Sequence, residues 1–212
     1  MINPSLLIHS FDGTKGFLRG DQYAVALALI DDGEVKVGVM ACPTLTMGGS
    51  DDGCLFVAVR GQGTTVQSLK DGEPLPVRVA TTTTTNPRMV ESFESAHSNQ
   101  SLQKAIAEAA GISADSLRMD SQAKYGIVAS GEAALYLRLP NPKKPDYKEN
   151  IWDHAAGSIV VEEAGGRVTD MNGQALDFTK GDKLTGTGVV VSNGEIHDKV
   201  LAAISQQQSK SG

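Results

Sequence analysis

Apolar and polar residues alternate most regularly between Tyr23 and Met40, where "YAVALALI" and "EVKVGVM" flank "DDG". A period of two, rich in β-branched residues, marks half-buried strands, and Asp-Gly between two such runs marks a tight turn. The pattern predicts a β-hairpin. "GCLFVAVRGQGTTVQSL" continues as further strands broken at Gly61 and Gly63, and "PLPVRVATTT" reads as an edge strand with proline at its start. Residues 17–80 are therefore predicted to be mostly antiparallel sheet.

After the threonine run "TTTTTNP", which suits either a crossover between domains or an ordinary loop, the period changes. "SLQKAIAEAAG" and "SQAKYGIVASG" have helical spacing with a glycine stop, whereas "AALYLRL" and "GTGVVVS" read as strands. "WDHAAGSIVVEEAGG" places an Asp at a helix start and Gly165-Gly166 at its end. Strands alternating with helices predict an α/β layer beside the antiparallel sheet, an α+β or α/β chain divided into residues 1–80 and 81–212. The polar tail "QQQSKSG" is expected to fray.

Length and charge narrow the function classes. At 212 residues the chain is long enough to bury a sizeable core. Its net charge is −6 with no block of lysine and arginine, which excludes a footprint for nucleic acid while leaving room for a small anion at a local cationic cluster. Cys42 and Cys54 are too few for a zinc motif, and no apolar run reaches the roughly 20 residues that span a bilayer. A cytoplasmic protein without membrane partners is expected.

Two short clusters could carry chemistry. Asp12, Gly13 and Thr14 precede "KGFLRG", a short helical stretch, so an acid able to hold a hard cation stands beside a flexible glycine and a hydroxyl. A plain capped turn would look the same. Asp153 in "WDHAAG" is equally consistent with helix capping, worth on the order of 1 kcal/mol. Lys124 and Arg138 add to both, because cations set in apolar elements often face an anion.

"DGTKGFLRG", "QYAVALALI", "VAVRGQG", "DSQAKY", "YLRLP" and "WDHAAG…EEAGG" together resemble the 3'(2'),5'-bisphosphate nucleotidases of fungi and plants. These belong to the lithium-sensitive, magnesium-dependent phosphatases that include inositol monophosphatase. The similarity runs in order from Asp12 to about Ile204. It implies a layered sandwich of helices and sheets, Mg2+ as cofactor, and hydrolysis of 3'-phosphoadenosine 5'-phosphate, a by-product of sulfate assimilation. An inositol polyphosphate phosphatase is the other enzyme reading. Residue by residue, it implies Asp12, the Phe11 carbonyl and Asp153 on metal, and Thr14 as the catalytic hydroxyl. His97, Ser121, Lys124 and Arg138 fall on the nucleotide, with Gly13, Thr14 and Asp153 also at the substrate.

The chain departs from this family pattern at its start. His9 and Ser10 stand where the family has an aspartate and a proline, and histidine should weaken the site for magnesium, which prefers oxygen. The resemblance also implies a longer upstream segment with further metal and water-activating acids. Without it two metals would share about two carboxylates, the sheet of residues 17–80 would expose apolar surface, and activity would be impaired. A catalytically dead nucleotide-binding chain is the alternative.

Overall fold

Alternation of buried and less buried side chains builds the first sheet. In β2 (Ala24–Asp31) the side chains of Ala24, Ala26, Ala28 and Ile30 are buried, while Val25, Leu27 and Leu29 point the other way. β4 (Cys54–Val59) alternates in the same manner, β3 (Glu34–Cys42) does so from Gly38 onward, and in β5 (Gly63–Ser68) Thr64 alone is buried. The structure, a computed structural model, describes residues 5–47, 51–81, 83, 86–93, 100–141 and 147–211.

The hairpin of β2 and β3 forms as expected, with Asp32 and Gly33 both at positive φ in its turn. Two features differ from the sequence reading. Ser5–Asp12 forms an edge strand, β1, antiparallel to β2, in a stretch whose consecutive Leu6, Leu7 and Ile8 give no period-two signal. At the opposite edge the strand expected in "PLPVRVATTT" shrinks to β6 (Leu75–Pro76), since Pro74 and Pro76 have no N–H for the ladder. The sheet order is β1-β2-β3-β4-β5-β6.

The second sheet is mixed, in the order β10-β11-β9-β7-β8. It contains β7 (Met89–Glu91), β8 (Leu117–Arg118), β9 (Leu135–Arg138), β10 (Arg167–Thr169) and β11 (Val189–Ser192). β7 runs parallel to β8 and β9, and β11 runs antiparallel to β9 and β10. Val189, Val191 and Tyr136 join the core facing the first sheet, whereas Val190, Leu135 and Leu137 join a second core.

Helices fill the space between and outside the sheets. α3 (Ala123–Ala129) and α4 (Ala155–Glu163) lie between them, with α4 crossing β2 to β5. The crossing needs Gly38, where a Cβ would come 2.3 Å from Ile159 Cγ2. α2 (Gln100–Ala109) and α5 (His197–Ser211) cover the outer side of the second sheet. α5 runs through the tail expected to fray, because Val200, Ala203 and Ile204 anchor it to the core. The succession of sheet, helices, sheet and helices is the layered α/β arrangement that the resemblance implied. On its far side the first sheet is less covered, with Leu6, Ile8 and Val25 exposed.

Candidate functional site

Asp12 ends β1, and the chain then turns through Gly13 into α1 (Thr14–Arg19). Gly13 has φ 90°, and a Cβ there would lie 2.9 Å from Ser121 Cβ, so only glycine lets this turn sit against the loop before α3. The Gln122 backbone N–H donates to Asp12 Oδ2 at 2.6 Å, which fixes the carboxylate. Ser121 itself is left-handed, with φ 64°, and its Oγ accepts from the Ala123 N–H at 3.2 Å. It therefore lies just ahead of α3 rather than in its first turn.

Lys124, one turn on, is buried. Its Nζ donates to the Ser121 carbonyl at 2.7 Å and lies 5.4 Å from the centre of the Tyr136 ring. Burial brings its pKa down to about 8, with Arg138 adding to the fall while Asp12 and Asp120 oppose it. Arg138, at the end of β9, donates from Nε to Glu149 Oε1 at 2.9 Å. Glu149 also faces His154 Nε2 at 3.4 Å, and His154 Nδ1 pairs with the Tyr125 hydroxyl at 2.7 Å. His154 is thus a packed and bonded core residue.

Asp153 ends a 3-10 turn, Ile151–Asp153, immediately before α4. Asn150 Nδ2 donates to its Oδ2 at 2.8 Å. His9 on β1 brings Nδ1 to 3.1 Å from Asp153 Oδ1, an ion-pair contact off the line of a hydrogen bond. Asp153, above all, raises the His9 imidazole above its ordinary value, against the lowering effect of burial. Burial pushes the Asp153 carboxyl up, but His9 and Asn150 together hold it below the usual carboxylate value.

Asp12, Ser121, Lys124, Arg138, Asp153 and His154 meet in one pocket of about 270 Å³, and His9 touches it through Asp153 without lining it. Of the residues proposed from sequence, Asp12, Gly13, Thr14, Ser121, Lys124, Arg138 and Asp153 line it. Phe11 does not; its ring stacks on Tyr23, with centroids 5.3 Å apart. His97 lies outside the described residues. Asp120, Tyr125 and Tyr136 also line the pocket and were not singled out by sequence, although "DSQAKY" contains two of them. Asp120 is paired with Arg19 of α1, a contact between residues far apart in sequence that no local pattern announces.

The ligand atoms of His9, Asp12 and Asp153 lie within 4.8 Å of one another. Opposite ligands of an octahedral ion stand about 4.2 Å apart, so modest side-chain movement would close this set on one cation. Two carboxylates suit one hard divalent ion whose other positions are taken by water and phosphate oxygen. They carry too little charge for two.

The family model described as the inositol monophosphatase family matches residues 11–209. The chain belongs to that family. Among curated members of the inositol monophosphatase family, a 3'(2'),5'-bisphosphate nucleotidase from Oryza sativa is 47% identical over 93% of this chain. One from Emericella nidulans is 43% identical over 91% of it. The chain spans 58% and 60% of the length of these two relatives. Solved structures agree in fold. An inositol monophosphatase from Anabaena superposes with a TM-score of 0.70 at 22% identity, covering 96% of this chain and 72% of that one. The Thermotoga maritima IMPase gives 0.70 at 24% identity, covering 98% and 70%. No helix among the described residues is long and apolar enough to cross a membrane.

Proposed function

We propose that the chain carries the substrate pocket of a 3'(2'),5'-bisphosphate nucleotidase and hydrolyses 3'-phosphoadenosine 5'-phosphate to AMP and phosphate, at a rate lowered by His9. The observation that carries this reading is the convergence of Asp12 and Asp153 with Lys124, Arg138 and Ser121 around one cavity. Carboxylates beside cations suit a phosphate whose charge is shared between a metal and the protein. Two phosphates on one ligand favour a site with more than one cationic group, and the nucleotidase relatives supply the substrate class.

Each residue then has a task. Lys124 and Arg138 neutralise phosphate charge, Arg138 through a planar guanidinium that Glu149 holds in one orientation. Ser121, held left-handed between Asp12 and Lys124, offers its hydroxyl to a phosphate or ribose oxygen. Thr14, exposed at the rim, orients water for attack on phosphorus as the bond to the 3'-oxygen breaks. Asp12 and Asp153 would hold Mg2+, which when bound activates water and offsets charge on the leaving oxygen. His9 removes one carboxylate from that set, which is why the rate is expected to be low.

A second reading, binding without turnover, is favoured by the ion pair that engages Asp153 with His9. Phosphate release measured with and without magnesium separates the two. Release that needs magnesium and is lost in Asp12→Ala and Asp153→Ala supports the enzyme. Saturable binding of the nucleotide with no release, at any magnesium concentration, supports the second reading.

A further inference from the structure

The contact between His9 and Asp153 has a geometry suited to more than an ion pair. In a regular strand, residues three apart point to opposite faces, so His9 and Asp12 would not meet. The register of β1 against β2 is broken between His9 and Asp12, and this irregularity turns both side chains toward Asp153. Bulges that re-aim a side chain in this way are common beside functional sites.

The second observation concerns the imidazole nitrogen itself. His9 Nδ1 is buried and makes no hydrogen bond, yet it faces a carboxylate oxygen at 3.1 Å. Adjacent ligands of one ion, at right angles and with bonds of about 2.1 Å, stand about 3.0 Å apart.

We propose that His9 is a third ligand, donating nitrogen to the cation held by Asp12 and Asp153, and that it turns this site from magnesium toward a borderline first-row ion of the cobalt and zinc class. Magnesium takes oxygen almost exclusively, whereas imidazole suits zinc, cobalt and nickel. One nitrogen and two carboxylates leave positions on such an ion for water or phosphate. The inference rests on the phosphatase reading only in placing a cation between the two carboxylates.

Co2+ is the probe, because its visible absorption reports the ligands directly. The whole chain is titrated with Co2+ in the absence of nucleotide, and the bound ion is then competed with Mg2+; fluorescence of Trp152, the chain's one tryptophan, gives a second signal beside the site. We expect Co2+ to bind at least about a hundredfold more tightly than Mg2+, and His9→Asp to cut that preference by about tenfold or more while strengthening Mg2+. His9→Ala should lose the absorption band with its circular dichroism unchanged. Equal Co2+ affinity and an identical spectrum in His9→Ala would overturn the assignment, as would an unaltered preference in His9→Asp. Absence of phosphate release leaves it standing, so its failure and that of the phosphatase reading are distinguishable.

Discussion

The two walls of the pocket are held in different ways. Lys124 and Arg138 are fastened by carbonyls, by Glu149 and by the aromatic ring of Tyr136, in elements that form the centre of the core. Asp12 and Asp153, with His9 beside Asp153, come from the end of an edge strand and from a 3-10 turn, and all three are partly exposed. Anion recognition is thus built into the core, while cation binding depends on a few side chains that one substitution can retune. On the proposed reading, substrate binding should survive changes that abolish the metal's contribution.

That contrast can be broken most severely at Arg138. Arg138→Met leaves the largely covered Glu149 without its guanidinium partner, and removing one member of such a pair costs up to about 3 kcal/mol. Urea denaturation should show the loss, together with weaker nucleotide binding. Next is the backing of the cationic wall. A Cβ on Gly157 would lie 2.4 Å from Tyr125 Cγ, so Gly157→Ala should cost about 2 kcal/mol and shift the Tyr125 ring, visible in near-ultraviolet circular dichroism.

Lys124→Met separates stability from recognition. Replacing a buried ammonium by an apolar chain of similar length should leave stability unchanged or raised, yet nucleotide affinity should fall by about tenfold. On the other wall, Asp12→Asn keeps an oxygen for the Gln122 N–H, so stability should change by about 1 kcal/mol or less while cation binding is lost. The effect that is smallest at neutral pH, and grows only in acid, comes from outside the pocket. His197, bonded to Thr169 of β10 and Ser192 of β11, is pushed by burial down to about 4 from its ordinary 6.5. Between these values the unfolded chain takes up a proton that the native state refuses. His197 therefore costs no stability above pH 6.5 and an increasing amount as pH falls toward 4. Thermal unfolding across that range should show a steeper loss in the parent than in His197→Gln.

Much of this was legible in the sequence, and the reasons for what was not are physical. The β2–β3 hairpin announced itself because one face is buried and the other half-covered, which yields period two over most of both strands. β1 was hidden because three consecutive aliphatic residues blur the alternation. β7, β8 and β10 are too short to carry a period at all. Asp12 and Asp153 stood out through the motifs around them, as did Lys124 and Arg138. The approach of His9 to Asp153 could not be read, because it joins distant parts of the chain through a break in strand register. The partnership of Arg19 with Asp120 was invisible for the same reason.

The most direct test of the account is calorimetric titration of the purified chain with 3'-phosphoadenosine 5'-phosphate in the absence of magnesium, repeated on Lys124→Met. Saturable binding that weakens by about tenfold in the variant is the predicted result, since the core-built cationic wall should recognise the ligand without a metal. No saturable heat in the parent, or equal affinity in the variant, would contradict it.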